Sequence, residues 1–535
     1  MRRRTILPTH LVCIVLCALG VAHAVMFADG LTFDWAKKVA SEISRGGGYA
    51  RKVATTSDNG IVLAGQFFRG RITIGPTQLT TPSNWGLYLI KYSANGQPQW
   101  VRGVSGKDAG DSLEPTALSV DEFGDTILAA YFGGTAVFPT FEVKSNGTAT
   151  GADCLIAKYS PSGETKWVIN LPGNGNRMVR SIATDLSGTI YVAGTFDDTI
   201  TFGSSRFSTQ GGSGGFLAAY SADGAVKWAQ SLDADYVSPN KVSLLGDRLY
   251  VCGSFQRKMT FGGVMLTSAG SWDSFVATCT VDGKHLWARR SGSKLGDYGN
   301  GIVAYATNCI FVGGSRRYET YINEQWRTSQ SIVVERYDGN GDLIWSRESQ
   351  ASESDSSIVG IAADTNGLLY LAGNFRGKLT IGDHSFSSTN SATIESMFVA
   401  VYDPAGNYIS GKSVSGNGFT GITDIGLLRD NSITLSGYGG DGALFDEFRI
   451  DAKPEEMLVL RLHLTTIPDA VSIRLYAGVE ISGPIGSRFR IESTQNLDQP
   501  VWTAVTVIRL DTPKHVWMDL TSPGSPKRFY RAVRE

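Results

Sequence analysis

The sequence predicts an all-β repeat fold, and three observations carry that prediction. A block of about sixty residues recurs along most of the chain. Counted on the small residue that closes an apolar run, its copies fall at Gly65, Ala130, Gly194, Gly253, Gly314, Gly373 and Gly437. A tryptophan after a Gly-containing turn keeps the same step, at Trp100, Trp167, Trp228, Trp287 and Trp345, with Tyr408-Ile409 in the sixth slot. Within each block apolar and polar residues alternate over short runs, which marks half-buried strands and excludes a helical repeat. Two independent anchors on one period of this size point to a solenoid, propeller or array.

The copy around Gly194 shows the four strands expected in each block. Val179 to Thr184 reads as the first, ending at the turn Asp185-Leu186-Ser187-Gly188. Ile190 to Phe196 reads as the second, Phe216 to Tyr220 as the third, and the run around Trp228 as the fourth. The first-to-second and third-to-fourth turns are short and rich in Asp, Asn and Gly, residues that tolerate the positive φ of tight hairpins. Four antiparallel strands repeated about a centre make a propeller blade. Six copies are complete. The seventh has a second strand at Ile433 to Gly437 and a third at Met457 to Leu464 but no fourth, while Phe33 to Lys38 reads as an orphan fourth strand one period before Trp100. The expectation is a seven-bladed β-propeller of four-stranded blades whose N-terminal strand completes the last blade, so that closure removes exposed edges.

Beyond Leu464 the period stops. Residues 465–470 read as a linker and residues 471–535 as a small C-terminal β-module, with strand-like runs such as Phe489 to Glu492 and Val516 to Asp519. At about 65 residues such a unit is near the lower limit for an independent core.

The blocks carry a resemblance. Tyr191-Val192-Ala193-Gly194-Thr195-Phe196, Phe261-Gly262, Leu155-Ile156-Ala157-Lys158-Tyr159 and Trp167-Val168 look like the bacterial β-propeller repeat abbreviated SBBP, over about residues 31–464. The resemblance implies the propeller fold and an exported bacterial setting, and it implies no common activity. Ala130, in place of the anchor glycine, and Arg316, in place of the phenylalanine that closes the second strand, depart from the pattern. The C-terminal part resembles small β-modules appended to exported proteins of environmental bacteria.

Composition agrees with a folded, turn-rich chain: 63 of 535 residues are Gly, 42% are hydrophobic and 19% charged. A net charge of −1 argues against a nucleic-acid partner or a polybasic membrane surface. Arg2-Arg3-Arg4, the apolar run from Leu11 to Val21 and Ala22-His23-Ala24 read as a secretory leader over residues 1–24, and the run is too short for a membrane anchor. Export to the periplasm, cell surface or medium is expected, with a monomeric propeller over residues 25–464. Cys154, Cys252, Cys279 and Cys309 each fall in a predicted strand and read as small buried apolar residues; an even count in an exported chain also allows disulfides.

No spacing in the chain carries catalysis or a metal. His285, His384, His463 and His515 are isolated, and Asp338-Gly339-Asn340-Gly341-Asp342 lacks a distal calcium ligand, so it reads as turn chemistry. The acids Asp108, Asp111 and Glu114, and Asp441, Asp446 and Glu447, read as solvated loop groups. No cofactor is expected. What varies between copies is one face, made of the longer second-to-third and fourth-to-first connections, and recognition is usually placed on such loops. Asp111, Arg177, Tyr236, Asp297 and Tyr298 are the candidate contact residues there. The expected function is therefore a non-catalytic scaffold that recognises a protein or glycan. The alternatives are a polysaccharide lyase, hydrolase or quinoprotein-like enzyme at the central channel, which converging carboxylates or an Arg–Tyr pair would favour, and a structural cell-surface protein.

Overall fold

The computed structural model describes the chain from residue 24 onward, apart from residues 41, 44–46, 146–152, 323–324, 351–354, 389–394, 417–419, 440–442, 447, 451–455, 474–476, 483–484, 495–500, 511–513 and 520–528. The leader expected over residues 1–24 thus lies outside the described residues, apart from Ala24. Among the described residues there is no helix, and the strands pair into successive four-stranded sets. The first set is Gly48–Thr55, Ile61–Ile74, Thr77–Tyr92 and Pro98–Gly106, each antiparallel to the next. The same order recurs from Ser112–Val120, Arg177–Thr184, the second half of Val226–Leu245, Asp297–Ala306, Ser356–Ala363 and Gly421–Leu427. These seven leading strands form the inner wall. Each packs on the next, and Gly421–Leu427 packs back on Gly48–Thr55, so the sets close into a ring. The fold is a β-propeller.

The chain closes its ring with its own beginning. Ala24–Lys38 pairs with Glu456–Ile473 in the set that starts at Gly421. Val39 N–H donates to Met457 O at 2.9 Å and Asp34 meets His463 at 2.5 Å, so the two strands run in opposite directions. Trp35 takes the place foreseen for it. Its indole donates to Ala94 O at 3.2 Å in the third-to-fourth turn of the next blade. Trp100, Trp167, Trp228, Trp287 and Trp345 donate in the same way to Pro161, Ala222, Val281, Gly339 and Pro404.

The anchor glycine has a steric cause. In every inner strand the pairing to the second strand slips by one residue, leaving Arg51, Thr116, Arg180, Asn240, Asn300, Val359 or Thr423 as a bulge. The anchor lies opposite the residue before that bulge, where the inner backbone comes close. A Cβ on Gly65, Gly194, Gly253, Gly314, Gly373 or Gly437 would lie 2.0 to 2.2 Å from a carbonyl oxygen of the inner strand. The short turns are equally uniform. Asp121, Asp185, Asp338 and Asp364 each accept backbone N–H bonds from residues two and four further on. The Asp338 loop is therefore a turn of the same kind as the rest.

By its contacts the chain divides into two units, Gly30–Thr465 and a second one made of the residues before Gly30 and after Thr465. In the second unit Arg488–Thr494 pairs with Thr503–Arg509 and Phe529–Arg534, and Ala477–Ser482 pairs with Lys514–Asp519. Ile481, Ile491 and Leu510 are its buried core, and Glu492 sits between Arg490 and Arg531 at 2.8 and 2.7 Å.

Candidate binding face and ring centre

The side chains that could meet a partner are set by the start of each inner strand. The residue opposite the closing phenylalanine of the second strand points into the sheet stack. In the second and fourth blades it is Leu113, opposite Phe132, and Val237, opposite Phe255. In the third blade that slot holds Arg177, opposite Phe196, and in the fifth it holds Asp297, opposite Arg316. Both polar residues are therefore buried. Arg177 is ion-paired with Asp153 of the preceding blade, both without solvent exposure, and burial pulls its guanidinium below its ordinary pKa. Asp297 accepts from Arg316 Nε at 2.7 Å and from the Ser293 amide at 2.6 Å. Asp111 is buried as well, its carboxylate gathering the amides of Lys107, Asp108 and Thr135 at 2.9, 2.9 and 3.2 Å. Of the five candidate contact residues, these three hold the fold together from inside.

Tyr236 and Tyr298 stay accessible, Tyr236 being 39% exposed. Tyr298 lies 6.3 Å from the Trp272 ring, and Arg317 covers it at 5.4 Å. Trp272, Arg317 and the two tyrosines come from connections and strand ends of the third to fifth blades, all on the loop-bearing face. On the first blade the same face carries Trp85, in contact with Tyr49 at 5.7 Å and Phe68 at 5.3 Å.

Arg316 explains the break in the fifth copy. It binds Asp297 and Glu348, and Glu348 also takes Tyr318 and Ser331. Beside it, Glu335 accepts from Ser291 at 2.5 Å and Tyr337 at 2.6 Å. The cavity lined by Ser291, Asp297, Arg316 and Glu335 measures about 20 Å³, room for a single water and not for a substrate.

The ring centre holds charges that pattern reading passed over. Lys241 of the fourth blade reaches Asp424 of the seventh at 3.6 Å. Arg51 of the first blade covers the Tyr49 ring at 4.6 Å and reaches Glu114 of the second at 3.4 Å. Lys52 stands among Asp424, Lys241, Arg51 and Glu114, its ammonium pulled below the ordinary value by burial, with Asp424 opposing. Arg180, at the third blade's bulge, is likewise pulled down by burial. Elsewhere the bulge side chain binds the next inner strand: Asn240 to Gly299 O, Asn300 to Ile358 O and Thr423 to Ala50 O, at 2.9, 3.0 and 2.6 Å. A charged residue on an inner strand's bulge or just after it was the available signal. The other acid groups do not converge: Asp446 pairs with Lys412 and accepts the Phe33 amide at 2.8 Å, and Asp441 and Glu447 lie outside the described residues.

Comparison with known proteins adds a distant likeness. No family model matches the chain. An uncharacterized WD repeat-containing protein of Acanthamoeba polyphaga mimivirus is 22% identical over 509 residues, covering 75% of this chain and 36% of its own length. The chain thus spans about a third of that relative. Among solved structures, BBS1N in complex with ARL6DN aligns over 82% of this chain and 98% of its own, at 12% identity and a TM-score of 0.39. The hemagglutinin-neuraminidase ectodomain of parainfluenza virus 5 aligns over 66% of this chain and 81% of its own, at 8% identity and a TM-score of 0.32.

Proposed function

We propose that this chain is an exported, non-catalytic β-propeller scaffold, with repeats of the bacterial SBBP type, that binds a protein through its loop-bearing face. The observation that carries the reading is the contact of Trp272, Tyr298 and Arg317, at least partly accessible side chains fixed on a rigid ring, with exposed Tyr236 on the same face. Tyr, Trp and Arg are the residues enriched among interface anchors. The opposite face offers short turns tied up by their own Asp carboxylates. Affinity capture with the whole protein, beside a glycan array, tests the reading. A partner should be retained by the parent and lost by about tenfold or more in Tyr298→Ala and Trp272→Ala, the effect of removing an interface anchor. Equal retention by parent and variants refutes it, and binding on the array alone would make the ligand a glycan. Export is tested by N-terminal sequencing of the protein recovered outside the cytoplasm, with Val25 expected as the first residue.

A second reading, catalysis at the ring centre, has one observation in its favour, the Arg51–Tyr49 pair beside Glu114. Turnover of a polysaccharide that is abolished by Tyr49→Phe would establish it over the scaffold reading.

A further inference from the structure

We propose that the ring centre is a binding site for a small multivalent oxyanion, a phosphate or a polycarboxylate. Four cations, Arg51, Lys52, Arg180 and Lys241, come from the inner strands of the first, third and fourth blades. The acids named with them are two, and both are engaged: Asp424 by Lys241 and by the Val53 amide at 3.2 Å, Glu114 by Arg51. Lys52 and Arg180 make no side-chain hydrogen bond or ion pair among the described residues. Arg51 also leaves its Nε buried without a partner.

Cations gathered on the inner strands of one ring repel one another, and partial burial costs Lys52 hydration that no ion pair of its own returns among the described residues. Here burial is the first cause that lowers Lys52, and Lys241 and Arg51 add to it. Three of the corresponding positions bring no counter-charge. Where Lys52 and Lys241 stand in their blades, the second, fifth and sixth blades have Ala117, Gly301 and Gly360. An oxyanion among the four cations supplies the missing counter-charge, and guanidinium groups fit phosphate and carboxylate oxygens in pairs. The site does not depend on the partner-binding face, so its test is independent of that reading.

The test is calorimetric titration of the whole protein at low ionic strength, with inorganic phosphate in one arm, citrate in a second and chloride as control. Saturable one-to-one binding of phosphate or citrate is expected, and the stronger arm tells which chemistry fits. Lys52→Gln and Arg180→Gln should each weaken it about tenfold or more, the usual weight of a charge-assisted hydrogen bond. Glu114→Gln, which removes a competing carboxylate, should strengthen it. Unliganded melting temperatures at or above the parent's show that the variants fold. Binding of neither anion, chloride-like heats for all three, or equal affinity in parent and Arg180→Gln would overturn the proposal. Because Arg180 holds no ion pair among the described residues, its variant keeps the test open even if Lys52→Gln fails to fold.

Discussion

Phe33→Ala tests ring closure at a single side chain. Phe33 is 5% exposed, meets Phe445 edge-on at 5.2 Å, and lies under the Lys412 ammonium at 5.3 Å. Its amide donates to Asp446, 413 residues away in sequence. Truncating a buried phenylalanine costs about 3–5 kcal/mol, from lost transfer energy and the cavity left behind. Against a stability of roughly 5–15 kcal/mol for a folded domain, that is a large share. Urea unfolding of the parent, Phe33→Ala, Phe445→Ala and the double variant measures it. The cycle should return about 0.5–1.5 kcal/mol of coupling, as aromatic pairs do. Loosening the N-terminal strand also bares the edge of Glu456–Ile473, so Phe33→Ala should aggregate on mild heating. A loss below about 1 kcal/mol with no coupling would refute closure by this strand.

Three further outcomes are expected. Gly194→Ala places a methyl 2.1 Å from Met178 O and 2.5 Å from Phe216; thermal unfolding should show a loss of about 1–3 kcal/mol, typical of overpacking. Arg177→Met strands the Asp153 charge in the interior and should cost about 3–5 kcal/mol by urea titration, while adding Asp153→Leu should recover most of it. Burial pushes the thiols of Cys154, Cys252 and Cys279 and the phenol of Tyr408 up to about 12, against 9.0 and 10.0 for free groups. Those raised values mean that the folded chain keeps protons the unfolded chain releases, so their contribution is intact below pH 9 and is lost as pH climbs from 9 towards 12. Melting temperature should accordingly hold to pH 9 and drop above it, and a thiol reagent at pH 8 should label Cys154, Cys252, Cys279 and Cys309, all free and buried, only after denaturation.

The repeat and its closure could be read from the sequence because each rests on a backbone constraint. The anchor glycine marks the carbonyl that leaves no space for Cβ, and the tryptophan marks the step from one blade to the next. Contact residues were harder to read, since a polar residue beside a loop looks the same whether it faces water or the sheet. Alignment by register separates the cases: Arg177 and Asp297 fall in the column of Leu113 and Val237, which is interior. Asp297 also faces Arg316 across the pairing, so the two substitutions complete each other. The cations at the centre were missed for another reason. Alternation assigns sides by counting in twos, and the bulge in each inner strand shifts that count by one.

Each fourth-strand tryptophan belongs to one blade and bonds the turn of the following one, with Trp35 doing for the first blade what Trp228 does for the fourth. These joints have a direction around the circle but no starting point. The chain's break falls where a third-to-fourth turn would otherwise stand, beside His463 and Asp34. That location is a matter of genetic order and not of mechanics. A hairpin joining those two strands, with new termini cut into any other short turn, describes the same circle. Natural circular permutants of this architecture would preserve every joint, the seventh blade becoming ordinary and another becoming the one sewn from both ends.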